Sequence, residues 1–330
     1  MNEATATAAE RQFGAILDGQ VPEDDVVDLL VAIRERSETV EEIVGAARAM
    51  RARMNRVSLS KPAIDVCGTG GGVAERFNVS TASAFALAAI GIPVAKHGNR
   101  GSRLANGSFD FLEALGIPID CDAEVVASVF RKTDLAFMFA RQFHPAVGAV
   151  AGARKRAGGR TLFNLVGPLS NPASVPMQVL GTVSVELGEK LALASQCLGT
   201  QRTIVVVGDG ERDELIPDGQ STIFDVTPER FIRYKVDARE WVPDALPALP
   251  VGGSVDNAAL FQAWLNAPSD FPTLSHWIAL NCSVALVLVG QAVTFREGYD
   301  RALELITQSI VVKLKVMDYF SFFKREKESI

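Results

Sequence analysis

The chain predicts an α/β protein: a small all-helical N-terminal domain over residues 1–61, then a larger domain over residues 62–330 with a mostly parallel central sheet flanked by helices. Three observations lead there. Up to residue 54 the apolar residues recur every three to four positions, with no strand candidate among them. From residue 62 short, uniformly apolar runs alternate with helical patterns, as strands of a parallel sheet covered on both faces do. The first of those runs empties into a glycine-rich turn that leads straight to a helix.

In the N-terminal segment Phe13, Ile16 and Leu17, then Val26, Leu29, Leu30 and Ile33, then Ile43, Ala46 and Ala47 keep helical spacing. Val21-Pro22-Glu23-Asp24-Asp25 reads as a helix start, with proline and acids in the first turn. Residues 51–61 form the expected link. Strands are expected at 63–67, 92–95, 135–139, 177–182, 203–207 and 231–236, with helices between most of them. Residues 242–254, rich in proline and glycine, read as a surface connection. The apolar run 284–289 is far short of the roughly 18 residues that span a bilayer, and reads as the buried part of a helix.

Composition narrows the function. At 330 residues, 48% of them hydrophobic, the chain can bury a sizeable core. A net charge of −6 and a pI near 5.3 argue against a general nucleic-acid or membrane-surface binder, so any phosphate site must be local or helped by a metal. The cysteines at 67, 121, 197 and 282 are too widely spaced for a zinc cluster, and reduced thiols in a cytoplasmic protein are expected. The N-terminus carries neither the basic nor the apolar region of a secretory signal.

The chemistry concentrates after residue 64. Gly68-Thr69-Gly70-Gly71-Gly72 places four glycines in five positions, which lets backbone N–H groups turn inward and approach an anion. Asn78, Ser80 and Thr81 stand at the entrance to an alanine-rich helix expected over 83–90, whose first turn offers unpaired N–H groups and a partial positive charge. The pattern is neither the G-x-G-x-x-G fingerprint nor a P-loop, because no G-K-S or G-K-T closes it. A glycine turn alone is usually only a turn. Here, one strand later, Lys96-His97-Gly98-Asn99-Arg100 brings two cations and a histidine to the same edge of the sheet, and ligands in such sheets bind beyond the carboxyl ends of the strands. His144-Pro145-Ala146 starts a further helix, with Arg154 and Lys155 ahead of Gly158-Gly159 at its end. Asp213-Glu214 follows the strand at 203–207; adjacent acids on a loop are by default solvated.

Taken together, D-x-x-G-T-G-G, F-N-x-S-T and K-H-G-N-R at these spacings closely resemble the anthranilate phosphoribosyltransferase family, from about Leu29 to Ile306. The resemblance implies a nucleoside phosphorylase/phosphoribosyltransferase-like fold and transfer of phosphoribosyl from phosphoribosyl pyrophosphate to anthranilate in tryptophan biosynthesis. It implies that Gly68, Thr69, Gly70, Gly71, Asn78, Ser80, Thr81, Lys96 and Arg103 meet the donor. By the same resemblance His97, Asn99, His144, Arg154, Gly167 and Pro168 meet anthranilate, the last two in the proline-bracketed loop 164–172 beneath the channel. On one continuous helix His144 and Arg154 would stand about 15 Å apart, so either one acts at the channel mouth or the helix is broken. The resemblance implies two magnesium ions, one held by Ser80 with Glu214 and the second by Asp213 with Glu214. No covalent nucleophile is expected. The family also implies a homodimer through the N-terminal helices.

The chain departs from the family pattern at Gly72, where an acid is usual, at Leu104 and Ala105, which replace hydroxyl-bearing residues, and at Arg141, where proline is usual. Arg103 is a charge-assisted substitute for the missing hydroxyls. These changes leave open a relative with another acceptor, a pyrimidine-nucleoside phosphorylase, or a non-catalytic nucleic-acid-binding relative. K-H-G-N-R and H-P-A fit the phosphorylases poorly, and a nucleic-acid binder calls for a basic groove.

Overall fold

The computed structural model describes residues 1–70, 76–101, 106–243, 246–247, 249, 252–308 and 310–327. Three helices open the chain: α1 (Glu3–Leu17), α2 (Glu23–Arg36) and α3 (Val40–Ala52). Each has a local reason to start. Asn2 caps α1 by accepting from the Ala4 and Thr5 amides, acids fill the first turn of α2 behind Pro22, and Thr39 and Glu42 form a reciprocal capping box on α3.

The alternating part runs β1 (Ile64–Gly68), α4 (Val79–Ala89), β2 (Val94–Gly98), α5 (Ser108–Ala114), α6 (Ala123–Thr133), β3 (Leu135–Phe139), α7 (Ala140–Phe143), a 3-10 segment Pro145–Val150, α8 (Ala151–Ala157) and α9 (Leu162–Val166). It continues with β4 (Met177–Gly181), α10 (Val185–Cys197), β5 (Arg202–Gly208), β6 (Gln220–Thr227), β7 (Arg230–Asp237), α11 (Ser254–Asn266), α12 (Pro272–Leu288), α13 (Phe295–Gln308) and α14 (Val311–Lys327). The strands make one seven-stranded sheet in the order β3-β2-β1-β4-β5-β6-β7. The first five in that order are parallel, and β6 and β7 close it as an antiparallel hairpin.

The fold class is the one expected, with three local corrections. Strand β6 was not anticipated: Pro217-Asp218-Gly219 and the polar start of the strand have turn chemistry, and only its pairing with both β5 and β7 makes it a strand. Strand β2 begins two residues later than expected and runs to Gly98, so Lys96 and His97 lie within it. Helix α4 begins at Val79, which puts Ser80 and Thr81 inside its first turn.

Alternation along the strands divides the core. Ile64, Val66, Val94, Ile204 and Val206 face α4, α12 and α14, whereas Leu180, Val205, Val207 and Phe224 face α10 and the N-terminal helices. Ala95, Ala136 and Met138 face α6. The N-terminal helices share their core with α8–α10, and three polar clamps fix them there. Arg34 Nη1 donates to the Ala157 carbonyl (2.9 Å), Arg51 Nε donates to the Leu169 carbonyl (2.7 Å), and buried Glu38 pairs with Arg160 (2.9 Å). The aromatic tail is covered as well. Buried Tyr319 of α14 meets Phe85 and Phe137 edge-on, at 5.9 and 5.5 Å between ring centres. Among the described residues no helix is long and apolar enough to cross a membrane.

Strands β1, β4 and β5 all end in glycine, and the loop after β5 lies over those ends. A Cβ on Gly68 would stand 2.7 Å from Asp213 Oδ2, one on Gly208 would stand 2.6 Å from the Glu214 carbonyl, and one on Gly181 would overlap the Asp213 carbonyl. Gly181→Ala is therefore expected to push the loop off the sheet and to destabilise the protein by about 1–3 kcal/mol, the usual cost of overpacking. Urea unfolding reads this directly, and an unchanged midpoint would show that the loop has room to spare.

Candidate functional site

The strand order reverses direction between β1 and β4, and at such a point the two outgoing connections part and leave a crevice beyond the carboxyl ends. The glycine turn leaves β1 there, and Asp213 stands directly over Gly68 and Gly181. The acidic pair is thus not a solvated loop. Three missing side chains let it reach the crevice.

Strand β2 supplies the other half. Successive strand residues point to opposite faces, so Lys96 and His97 serve different sides of the sheet. Lys96 is buried on the α4 side, where Nζ donates to the Val66 carbonyl and to Ser80 Oγ, the latter at 3.2 Å. Burial lowers its pKa, while the charge of Asp65, and more weakly that of Asp213, opposes the shift. His97 is buried on the other side, its ring centre 4.9 Å from that of His144. Asp65 connects the two. Fully buried, it accepts from the His97 amide (3.2 Å) and from Asn171 Nδ2 (2.8 Å), and burial pushes its pKa up to about 6 against the pull of Lys96.

On the donor side, the Thr69 amide donates to the Gly181 carbonyl (2.9 Å) and its hydroxyl reaches Thr182 (3.2 Å), while Gly70 has the positive φ of 62° that glycine permits. Gly71 and Arg103, with Gly72, Leu104 and Ala105, lie outside the described residues. Ser80 is exposed beside Lys96, and Thr81 is buried with its hydroxyl unpartnered among the described residues. Asn78 directs its side chain elsewhere: Nδ2 donates to the Asn106 carbonyl and Oδ1 accepts from Asn257, both at 3.1 Å. It ties together the two loops that flank the crevice. Asp213 Oδ1 accepts from Arg76 Nη1 at 3.0 Å. The Glu214 side chain is only 13% exposed, and burial, with Asp213 alongside, pushes its pKa up to about 8. Glu214, Asp213 and Ser80 are hard oxygen donors, and no group of three or more acidic, histidine or cysteine side chains surrounds them among the described residues. That donor set fits magnesium, which takes one or two carboxylates and leaves its remaining positions to water and substrate oxygens. A cation there would let buried Glu214 ionise.

On the acceptor side, His97 Nε2 and both ring nitrogens of His144 are buried without a hydrogen bond of normal geometry among the described residues. Orphaned buried nitrogens carry a desolvation cost that a ligand's polar atoms can relieve. Both rings are neutral near pH 7: burial drives His97 well below the ordinary histidine range, and His144 down to about 4. The run after His144 is not one α-helix but a 3-10 segment followed by α8. Its residues converge instead on α9 and the loop after it. His97 lies against the Gly167 backbone, His144 against that of Ser170, and the Arg154 guanidinium sits over the Phe163 ring at 5.6 Å. Pro168 is buried, its carbonyl accepting from Gln178 (2.6 Å). Asn99 is exposed, its side chain turned back to the Arg100 amide (2.8 Å).

Sequence reasoning missed Asp65, Arg76, Asn171 and Asn257. Asp65 had a signal, an acid inside an otherwise apolar strand, where burial demands partners. Arg76 and Asn257 had none, because their partners lie up to 181 positions away.

Comparison with known proteins shows the family and the fold. Residues 60–309 match the glycosyl transferase family, a/b domain, and residues 2–54 match its helical bundle domain. The anthranilate phosphoribosyltransferase of Novosphingobium aromaticivorans is 38% identical over 312 residues, covering 94% of this chain and 93% of that protein. The crystal structure of the Thermus thermophilus anthranilate phosphoribosyltransferase superposes with a TM-score of 0.87 at 35% identity, over 96% of this chain and 94% of that one. The Saccharomyces cerevisiae enzyme, solved in complex with PRPP and Mg, shares the fold at 24% identity with a TM-score of 0.82, over 97% of this chain and 93% of that one.

The buried histidines set a pH dependence. The unfolded chain binds protons that the folded protein refuses, so their stabilising effect is full above about pH 6.5 and drains away as pH falls toward 4. The drop at His144 from 6.5 to about 4 corresponds to about 3 kcal/mol over that window. His144→Phe should flatten the slope of urea-unfolding stability between pH 6.5 and 4, and an unaltered slope would show that His144 titrates normally.

Proposed function

The chain belongs to the glycosyl transferase family, and from that membership we propose that it transfers phosphoribosyl from phosphoribosyl pyrophosphate to anthranilate and releases pyrophosphate. One observation carries the reading: β2 holds a buried ammonium, Lys96, on one face and a buried neutral imidazole, His97, on the other, where the His144 ring packs against it, so an anionic leaving group and an aromatic amine have separate stations on either side of a single strand.

As pyrophosphate departs, the ribose carbon becomes cation-like and the amine attacks from the opposite face, so the protein's task is positioning and charge stabilisation. Lys96, already donating to Val66 and Ser80, keeps a third N–H for the leaving diphosphate. The glycine turn and the first turn of α4, with Thr69, Gly70, Gly71, Ser80 and Thr81, add N–H and hydroxyl donors on the same side. Asn78 acts by holding the loops, and Arg103 adds charge. Ser80 and Glu214, with Asp213 beside them, would hold magnesium, which would neutralise charge on the diphosphate. His97 and His144 hydrogen-bond the acceptor without adding charge. Arg154 supplies the positive charge for its carboxylate, and Asn99, Gly167 and Pro168 shape the channel. No side chain need form a covalent bond to the sugar.

The same reading makes residues 1–61 a helical domain, residues 62–330 the catalytic domain, and the protein a cytoplasmic homodimer joined through α1–α3. The matched family segments support the division, and the family resemblance supports the dimer. Sedimentation equilibrium tests it: a monomer at micromolar concentration would remove the dimer.

Mixed with phosphoribosyl pyrophosphate and magnesium, the protein should extinguish anthranilate fluorescence. Glu214→Ala and Lys96→Met should each lower that rate by about 10²–10³-fold, the scale of losing a charge-stabilising group. Transfer at the wild-type rate in both variants would overturn the assignment.

A further inference from the structure

Arg76 lies in the crevice with no part in the mechanism above. Its guanidinium is anchored twice on the acidic loop, Nη1 donating to Asp213 Oδ1 at 3.0 Å and Nη2 to the Glu211 carbonyl at 2.7 Å. The ion pair is shielded, with the two side chains 17% and 25% exposed. The backbone beneath it is fixed as well: the Arg76 carbonyl accepts from Asn106 Nδ2 (2.6 Å) and from Asn257 Nδ2 (2.7 Å), and Asn257 is itself buried. Arg76 Nε is buried and has no partner among the described residues.

These contacts give the acidic pair unequal roles. Asp213 already holds a permanent cation in a charge-assisted bond, whereas among the described residues Glu214 has one ion pair, with Arg212 at the 4.0 Å limit and its guanidinium lying over the Trp277 ring, and feels Arg76 only as a nearby charge. A metal ion on Asp213 would have only Oδ2 left clear of Arg76, would share the carboxylate's charge with the guanidinium, and would stand beside a second fixed positive charge. An ion at Glu214 and Ser80 would break nothing so well made. A guanidinium, moreover, has five N–H donors and meets phosphate oxygens as readily as a carboxylate, so Arg76 can stay on Asp213 and still face a diphosphate.

We propose that Arg76 replaces the second metal ion of the site: it neutralises Asp213 permanently and contacts the leaving diphosphate, so that the enzyme takes one divalent ion per chain, at Glu214 and Ser80. The inference rests on the proposed function and deepens it by assigning the cations.

Manganese, a paramagnetic substitute for magnesium, allows the ions to be counted by electron paramagnetic resonance in the presence of saturating phosphoribosyl pyrophosphate, with retention of the donor measured separately by equilibrium dialysis. The wild-type chain should bind one ion, Arg76→Lys one, and Arg76→Ser two, because only the last frees Asp213. The Arg76→Ser variant should also bind the donor at least tenfold more weakly than wild type at submillimolar manganese and approach it at high manganese. Two ions on the wild-type chain, a count whose outcome does not depend on whether any variant folds, would overturn the proposal, as would one ion on a folded Arg76→Ser protein. Failure of the wild-type chain to retain the donor at any manganese concentration would instead refute the phosphoribosyl-transfer reading itself.

Discussion

Asp65 is a carboxylate shut away from water in the first strand, and the site is built around its need for partners. One oxygen takes the amide of His97, the other takes Asn171, and its charge acts on Lys96 through the sheet. Asn171 in turn donates to the Ala95 carbonyl at 2.9 Å, so the same asparagine binds the acid and the strand beside it. A buried ammonium without such a counter-charge would lose its proton or its place, since removing one partner of a buried pair costs about 3–5 kcal/mol. Asp65 therefore helps Lys96 keep its proton against the effect of burial, and the Val66 carbonyl and the Ser80 hydroxyl fix its place. The register of β2, which decides the face that Lys96 serves and the face that His97 serves, is secured by the same hydrogen bonds.

Glycine has two separate uses in this crevice. In the turn after β1 its use is backbone freedom, as at Gly70. At the ends of β1, β4 and β5 its use is the absence of a side chain, which lets a loop from beyond β5 lie across three strands and bring Asp213 over the first of them. The second use positions the acids, and it depends on residues more than a hundred positions apart. Gly68 belongs to both: it begins the turn and makes room for Asp213.

What could be read in advance follows from the range of each interaction. The N-terminal helices and the parallel strands are written in local periodicity, and there expectation and structure agree. Strand β6 was hidden because its start resembles a turn and its strand character comes from two neighbours. Lys96 and His97 were expected on a loop, and two further residues of strand give them their opposed directions. Asn78 was expected at the ligand, but its amide is engaged with Asn106 and Asn257, and nothing near Asn78 in sequence announces either partner. Arg76, next to the F-N-x-S-T motif, looked like an ordinary polar residue until the fold brought Asp213 to it.

The distribution of charge explains how two anionic substrates could be kept from each other's station. The protein is acidic overall, so attraction for a diphosphate must come from cations placed within the crevice rather than from its general field. Lys96 and Arg76 are such cations, Arg76 paired with Asp213 and Lys96 within the field of Asp65 and Asp213, which limits their pull to short range. Across β2 the imidazoles are neutral because they are buried, so a singly charged aromatic acid finds hydrogen-bonding nitrogens there and meets fixed positive charge at Arg154, over the Phe163 ring. A diphosphate transferred to that side would leave its strongest counter-charges for two uncharged rings. Discrimination between the stations thus follows from which buried groups keep their protons: the field of Asp65 opposes the loss of the Lys96 proton, and burial leaves the rings of His97 and His144 neutral.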